Sequence, residues 1–286
     1  MAIIVRVPGT CGEFIQGSIG GQEFLVTCPI DRYAMAVAGK EQGILPPKAE
    51  KARQITQKYL QLKNDIPISL LSQIERGKGM ASSSADIAAV SQAVALAAGH
   101  ELSYEEIMEI CLSIEPSDAV VYPGCVQFDH LHGRINRFLG TVPESKIVMF
   151  DTGGTVDTVL FNKNKNLHQL RKQNESVMIK ALSLFEKGIK NQDLNYIGRA
   201  ATLSAFANQK LLEKPGLEKL WTIGKEEGCF GVIVAHSGTV LGLLCEKQQN
   251  VENIKRSVKA LIPNLMYYDT VYTVSDGLIC TNKEVE

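Results

Sequence analysis

The sequence predicts an α+β fold in two lobes. Its second half mixes helices with antiparallel-style strands and lacks the regular strand–helix–strand alternation of a doubly wound sheet. A length of 286 residues is enough for two ordinary domains, each with its own core. No internal repeat or low-complexity segment interrupts the pattern.

The first strand is read from Ile3 to Val7, where apolar β-branched residues surround Arg6, and it is expected to stop at Pro8-Gly9. Strand character returns over Phe24 to Cys28 and Arg32 to Val37, followed by a helical stretch from about Lys48 to Leu62 and a strand-like run from Ile66 to Ile74. After Gly77-Lys78-Gly79, Ile87, Val90, Val94 and Ala97 recur at helical spacing, with Asp86 expected in the first turn and Gly99 as the C′ residue. The next helix carries Ser103 as N-cap, Glu106 three residues on, and Leu102 with Ile107 as a hydrophobic staple. Pro116 disfavours helical geometry at Glu115, which should release Ser117-Asp118 into a loop.

Farther along, strands are expected around Cys125 to Asp129 and Lys146 to Asp151, then helices from about Lys165 to Lys187 and from Leu194 to Ala207. Helices near Leu217–Glu227 and Val251–Leu261 flank strands at Phe230–Ala235, Thr239–Leu244 and Leu265–Val274. A domain boundary is placed between residues 145 and 146, giving units 1–145 and 146–286.

Thirty Lys and Arg against 31 Asp and Glu leave a net charge of −1, so there is no basic excess to neutralise a nucleic-acid backbone. No apolar run is long enough to span a bilayer, and the N-terminus lacks the basic and apolar regions of a secretion signal. Seven cysteines without CxxC spacing point to a reducing, cytoplasmic setting and to neither a disulfide framework nor a zinc site.

The chemistry concentrates in Gly77, Lys78, Gly79, Met80, Ala81, Ser82, Ser83 and Ser84, a Gly-rich turn entering a helix. Such a turn aims backbone N–H groups and the positive helix end at one point and suits a polyphosphate, with Lys78 as a mobile cation. An ordinary Ser-capped helix is the plainer alternative. No G-x-x-x-x-G-K-[ST] occurs, which disfavours the Walker-A class, and the third glycine of a Rossmann turn is replaced by Ser82.

The run Gly77 to Ala85 resembles the second motif of the GHMP kinases, with Met80 in the usual Leu place. Pro8-Gly9-Thr10-Cys11-Gly12-Glu13 is similar to the family's first motif, and its continuation through Phe14-Ile15-Gln16-Gly17 to Asp31-Arg32-Tyr33 resembles the L-threonine kinase branch, which supplies phosphothreonine for the cobalamin side chain. Glu115-Pro116-Ser117-Asp118 with Tyr122-Pro123-Gly124 resembles that branch too. The resemblance implies a ribosomal-S5-like N-terminal domain, a ferredoxin-like C-terminal domain, and ATP with Mg²⁺ as cofactors. It also implies a small hydroxyl substrate, L-threonine first, with homoserine, serine, a sugar or a silent metabolite-binding role as alternatives, and it is compatible with a homodimer.

By the same resemblance Asp118 stands where many members hold a catalytic aspartate, acting as base or as an orienting group. Ser84 and a nearby Glu would hold Mg²⁺; Glu115 is the choice over Glu106 and Glu109. Glu13, Asp31 and Arg32 are the candidates for the charged ends of the amino acid. A third Gly-rich motif is sought at Gly228–Gly231 and Ala235–Thr239, where His236 is read as a turn residue with a satisfied ring. His130 and His132 suit a metal only weakly.

Overall fold

A computed structural model describes residues 2–39, 41–156 and 167–283. β1 (Ala2–Ile19) and β2 (Gln22–Ala38) form one long antiparallel hairpin. Gly20 and Gly21 join them at φ +60 and +77, the left-handed pair that a tight hairpin turn requires. The expected stop at Pro8-Gly9 is not a chain reversal, because pairing continues through register shifts at Pro8/Gly9, Thr10/Glu13 and Glu13/Ile15. Bulges accommodate the missing donor of proline and bend the strand. The two strands expected over 24–37 are likewise one, with Pro29 set opposite Thr10 in the irregular stretch.

Next come α1 (Pro47–Tyr59), β3 (Ile68–Ser72), α2 (Ser82–Ala97), α3 (Tyr104–Ile114), β4 (Cys125–Phe128) and β5 (Asn136–Gly140). The second half contributes β6 (Ser145–Asp151), α4 (Leu167–Gln173), α5 (Glu175–Asn191), α6 (Leu194–Asn208), α7 (Leu217–Glu226), β7 (Gly231–Val234), β8 (Val240–Glu246), α8 (Glu252–Leu261), β9 (Met266–Tyr272) and β10 (Ile279–Lys283). Residues 165 and 166 of the helix expected from Lys165 lie outside the described residues, and the remainder is two helices meeting at Asn174, whose Nδ2 donates to Ala207 O at 2.9 Å. Strands β5 and β10 have no counterpart in the sequence reading.

All described strand pairings are antiparallel, in the order β5-β4-β2-β1-β7-β8-β6-β9, with β10 on β1 and β3 on β2. The α+β class follows directly. β1 joins the two halves twice, through β10 and through the single bridge Glu13↔Val234. One core lies under α2 and the hairpin; the other lies between β6–β8 and helices α7 and α8, with Leu217, Leu220, Ile254 and Val258 buried.

Helix α2 is buried on nearly all sides from Ala85 to Ala95, as its run of Ala, Ile and Val requires. It ends as expected at Gly99 (φ +78), where His100 N–H donates to Ala95 O at 2.9 Å. Asp86 falls beyond its first turn, contrary to the expectation, because the helix begins at Ser82; its carboxylate instead accepts from Arg76 at 3.0 Å. The capping box of α3 is present in both directions, Glu106 N to Ser103 Oγ at 3.2 Å and Ser103 N to Glu106 Oε2 at 2.8 Å. Glu115 then turns extended (φ −164, ψ 166) ahead of Pro116, so the chain leaves the helix and brings Asp118 toward α2.

Candidate active site

A cleft of about 680 Å³ opens between the bulged part of β1, the start of α1, the turn into α2 and the loop after α3. Its glycines are placed for geometry. Gly77 and Gly79 have φ +77 and +79, and Ala81, which lacks glycine's freedom, is held at +58 just before α2. Left-handed residues alternating with ordinary ones turn successive N–H groups to one side and form an anion-binding concavity. Among the described residues no side chain caps α2, which leaves its first amides and its positive end to a ligand. A left-handed alanine costs of order 1–2 kcal/mol, strain of the kind concentrated where a site needs it.

The turn is braced from both lobes. Thr10 N–H donates to Met80 O at 3.0 Å, and Thr239 N–H donates to Lys78 O at 2.9 Å. A Cβ on Gly79 would lie 2.5 Å from Ala235 Cβ and 2.7 Å from Gly238 Cα, while one on Gly238 would lie 2.1 Å from Lys78 O. The segment Ala235–Thr239 thus packs against the Gly-rich turn itself, and Ser237 reaches the cleft.

Lys78 is not the mobile cation expected. Its ammonium is buried, 2.5 Å from Asp151 Oδ2 and 3.0 Å from Gly154 O, and it is absent from the cleft wall. Burial pushes Asp151 up, but the Lys78 ammonium and the hydrogen bond from the Gly153 amide prevail and hold its carboxyl below the ordinary range. The cations that do line the cleft are Arg76, 60% exposed and paired with Asp86, and Lys48 at the start of α1. Neither stood out in the sequence, since Arg76 precedes the motif and Lys48 is one lysine among several on α1.

Met80, Ala81, Ser82, Ser83 and Ser84 all line the cleft beside Gly77 and Gly79. Ser84 Oγ accepts from Asp118 N–H at 3.1 Å, tying the loop after α3 to the helix start. Ser83 Oγ donates to Glu115 Oε1, and Lys48 Nζ donates to Glu115 Oε2. Glu115 thus meets the hydroxyl of Ser83 and not that of Ser84. Glu106 is spent in its capping box and on Tyr59.

Asp118 stands recessed in the same wall. Burial, then the nearby charges of Glu13 and Glu115, push its carboxyl up to about 8 against the opposing hydrogen bond of Ser84. Glu13 lines the same cleft, set on the bulge of β1 that Gly12 makes possible: at φ +60, a Cβ on Gly12 would sit 2.4 Å from Val234 O. Its Oε2 accepts from both the backbone N–H and Nδ1 of His236, at 2.9 and 2.8 Å.

Asp31 and Arg32 lie elsewhere. Arg32 Nε and NH2 reach Asp269 Oδ2 at 2.9 and 2.8 Å, NH1 pairs with Asp31 at 3.1 Å, and Asp31 Oδ1 accepts from Tyr272 N. The pair is a clasp between β2 and β9, and neither residue lines the cleft. The polar groups found in the cleft with Glu13 are Gln16 and His130, with His130 Nε2 3.4 Å from Gln16 Nε2 and with Gln16 Oε1 and His130 Nδ1 lacking partners among the described residues. Burial, and next the Arg171 guanidinium, push the His130 ring down to about 3, which keeps it neutral. Among the described residues no group of three or more His, Cys, Asp or Glu is placed to hold a metal ion.

The family model for the GHMP kinases N terminal domain matches residues 48–124, and that for the GHMP kinases C terminal domain matches residues 181–264. The chain is 33% identical over 258 residues to an L-threonine kinase of Salmonella typhimurium, covering 86% of this chain and 84% of the relative. It is 33% identical over 260 residues to an L-threonine kinase of Citrobacter freundii, covering 88% and 90%. In fold it resembles the homoserine kinase of Cytophaga hutchinsonii, with a TM-score of 0.71 at 17% identity over 98% of this chain and 97% of that one. The mevalonate kinase of Methanococcus jannaschii is similar as well, with a TM-score of 0.68 at 18% identity over 95% and 98%.

Proposed function

This chain belongs to the GHMP kinases and is a small-molecule kinase; we propose that it transfers the γ-phosphoryl group of ATP to the side-chain hydroxyl of L-threonine, giving O-phospho-L-threonine. One observation supports this above others. The two halves of a phosphoryl transfer meet in a single cleft, the left-handed turn at Gly77–Ala81 facing the carboxylates Asp118 and Glu13. The threonine kinases that match over most of the chain supply the substrate. Use of the product in the cobalamin side chain rests on the motif resemblance.

In this reading the amides of the turn and of the α2 start cradle the ATP phosphates, with Arg76 reaching them from the rim. Asp118 accepts the hydroxyl proton as the oxygen attacks phosphorus, and burial has already raised its basicity. Mg²⁺ would neutralise charge on the phosphoryl oxygens when bound with the nucleotide. The donor set fits it: Glu115 is a recessed carboxylate that accepts from the Ser83 hydroxyl, Ser84 lines the same cleft, and the Lys48 ammonium sits on one Glu115 oxygen as a stand-in cation. A hard ion that keeps phosphate and water ligands needs only one or two such protein oxygens.

The test is ADP release with L-threonine, L-serine, L-homoserine and galactose at saturating ATP and Mg²⁺. L-threonine should give the highest kcat/KM. A preference for homoserine or galactose would replace the substrate, and no release above buffer with any of them would reject the activity.

A further inference from the structure

Lys214 lies in the connection between α6 and α7 and turns inward. Gln209 brackets it: Gln209 Nε2 donates to Lys214 O at 3.3 Å, and Lys214 N–H donates to Gln209 Oε1 at 2.8 Å. Leu217 N–H donates to the same Lys214 carbonyl at 3.1 Å, and Gly216 follows Pro215 at φ +85, so the backbone is fixed on both sides. The ammonium is buried and donates to Gly238 O, its single partner among the described residues although it carries three donors. Gly238 in turn packs on the phosphate turn, where a Cβ on it would lie 2.4 Å from Gly79 Cα. The charge of Lys214 therefore stands one residue behind that turn, outside the cleft wall itself.

The other cations around the turn are each paired with a carboxylate. Lys78 meets Asp151, Arg76 meets Asp86, and Lys48 meets Glu115. Among the described residues no carboxylate lies within ion-pair distance of Lys214; Glu13 acts on it weakly, from farther off. Burial pushes its ammonium down to about 8, which still leaves it largely charged at neutral pH. A buried cation without a close partner lowers the stability of the fold, and such groups are kept where function uses them. The group that would approach this turn from the cleft with excess negative charge is a polyphosphate.

We propose that Lys214 is a positioning residue of the nucleotide site: its buried ammonium, acting through Gly238, sets a fixed positive charge behind the Gly-rich turn that the phosphates of ATP compensate. This rests on the reading of the turn at Gly77–Ala81 as the nucleotide site and adds to it a cation that no cleft-lining residue reveals. Protein and not water separates Lys214 from the turn, so its field is screened less than that of Arg76 on the exposed rim. The same bond occupies the Gly238 carbonyl, whose negative end would otherwise be free beside the turn.

The experiment is titration calorimetry of the full chain with adenosine, ADP and ATP at pH 7 in the presence of Mg²⁺. The unmodified protein should bind ATP more tightly than adenosine. In Lys214→Met, ATP affinity should fall by roughly tenfold or more and ADP affinity by less, while adenosine affinity stays within about twofold. A merely structural role would weaken all three ligands alike. Lys214→Gln keeps a donor toward Gly238 O but lacks the charge, so it should bind ATP as weakly as the Met variant. Both variants remove a buried charge and should fold, which near-UV circular dichroism checks; if Lys214→Met does not, Lys214→Gln carries the comparison. Unmodified protein that binds ATP no better than adenosine would reject the nucleotide site itself. ATP affinity unchanged in the variants, restored in Lys214→Gln, or lost equally for adenosine would overturn the role of Lys214 and leave the nucleotide site standing.

Discussion

Asp118 accepts a proton in the proposed chemistry, and its surroundings set the pH at which it can do so. Burial and the charges of Glu13 and Glu115 raise its carboxyl to about 8, so in the free enzyme the base is half-formed only near that pH. kcat/KM for threonine should therefore rise with pH through about 8 and level off above it, since this parameter reports the free enzyme. Asp118→Asn should lower kcat by on the order of 10²-fold or more, remove that rise, and leave ATP affinity intact, as isothermal titration with ATP would record. The two basic residues around the Gly-rich turn should separate in the same assays. Arg76 is an exposed cation on the cleft rim, so Arg76→Ala should raise the ATP KM severalfold, and because it also leaves the buried Asp86 carboxylate without its partner it should lower Tm by a few degrees. Lys78→Met should act on stability, because it strands Asp151 without its ammonium partner; loss of one member of a buried pair costs about 3–5 kcal/mol, visible in urea unfolding.

At the scale of elements, the phosphate-binding turn works because three segments pack backbone against backbone. Gly79 has Ala235 Cβ and Gly238 Cα within 3 Å of where a side chain would begin, and it sits at φ +79. Gly79→Ala should therefore push the turn off the 235–239 segment and weaken ATP binding by tenfold or more, roughly 1.4 kcal/mol; unchanged affinity in titration calorimetry would remove this turn from the nucleotide site. The sequence announced this element well, since its glycines and serines are local signals, as were the capping box of α3 and the break at Pro116. Other parts were not legible. The long β1–β2 hairpin passes through Pro8 and Pro29, residues that ordinarily end a strand, and only bulges that depend on Gly12 and on β7 allow it. Lys78 and Arg32 look alike in a sequence as free cations, yet Asp151 and Asp269, 73 and 237 residues away, claim them. His236 read from its neighbours only as a turn residue, because its partners Glu13 and Ser204 lie on β1 and α6.

For the molecule as a whole, Lys214 records the cost of burying an ammonium behind the segment that braces the phosphate turn. It sits between α6 and α7, 2% exposed, and donates to Gly238 O in the segment that braces the phosphate turn. Burial pushes its ammonium down to about 8, with Glu13 acting weakly the other way. An unfolded lysine titrates near its ordinary value of about 10.4, so between about pH 8 and 10 the unfolded chain holds a proton that the folded chain has lost. Stability contributed by this residue must then rise with pH across that window; at neutral pH its penalty is present in full. The buried thiols of Cys11, Cys28, Cys111 and Cys125 work in the opposite direction, since burial pushes each of them up and unfolding lets them ionise above about pH 8.5. The unmodified protein therefore shows the sum of two opposing slopes, and only a difference between variants isolates the lysine. In Lys214→Met the apolar stem is kept and the charge removed, while the thiols are untouched. Urea midpoints measured from pH 7 to 10.5 should show the variant ahead at pH 7 by as much as roughly 2–3 kcal/mol, less whatever the lost bond to Gly238 O contributes. That advantage should shrink steadily above pH 8 and vanish near pH 10.5. A difference that stays flat across the range would mean that Lys214 keeps its ordinary proton affinity in the fold and that water reaches its ammonium.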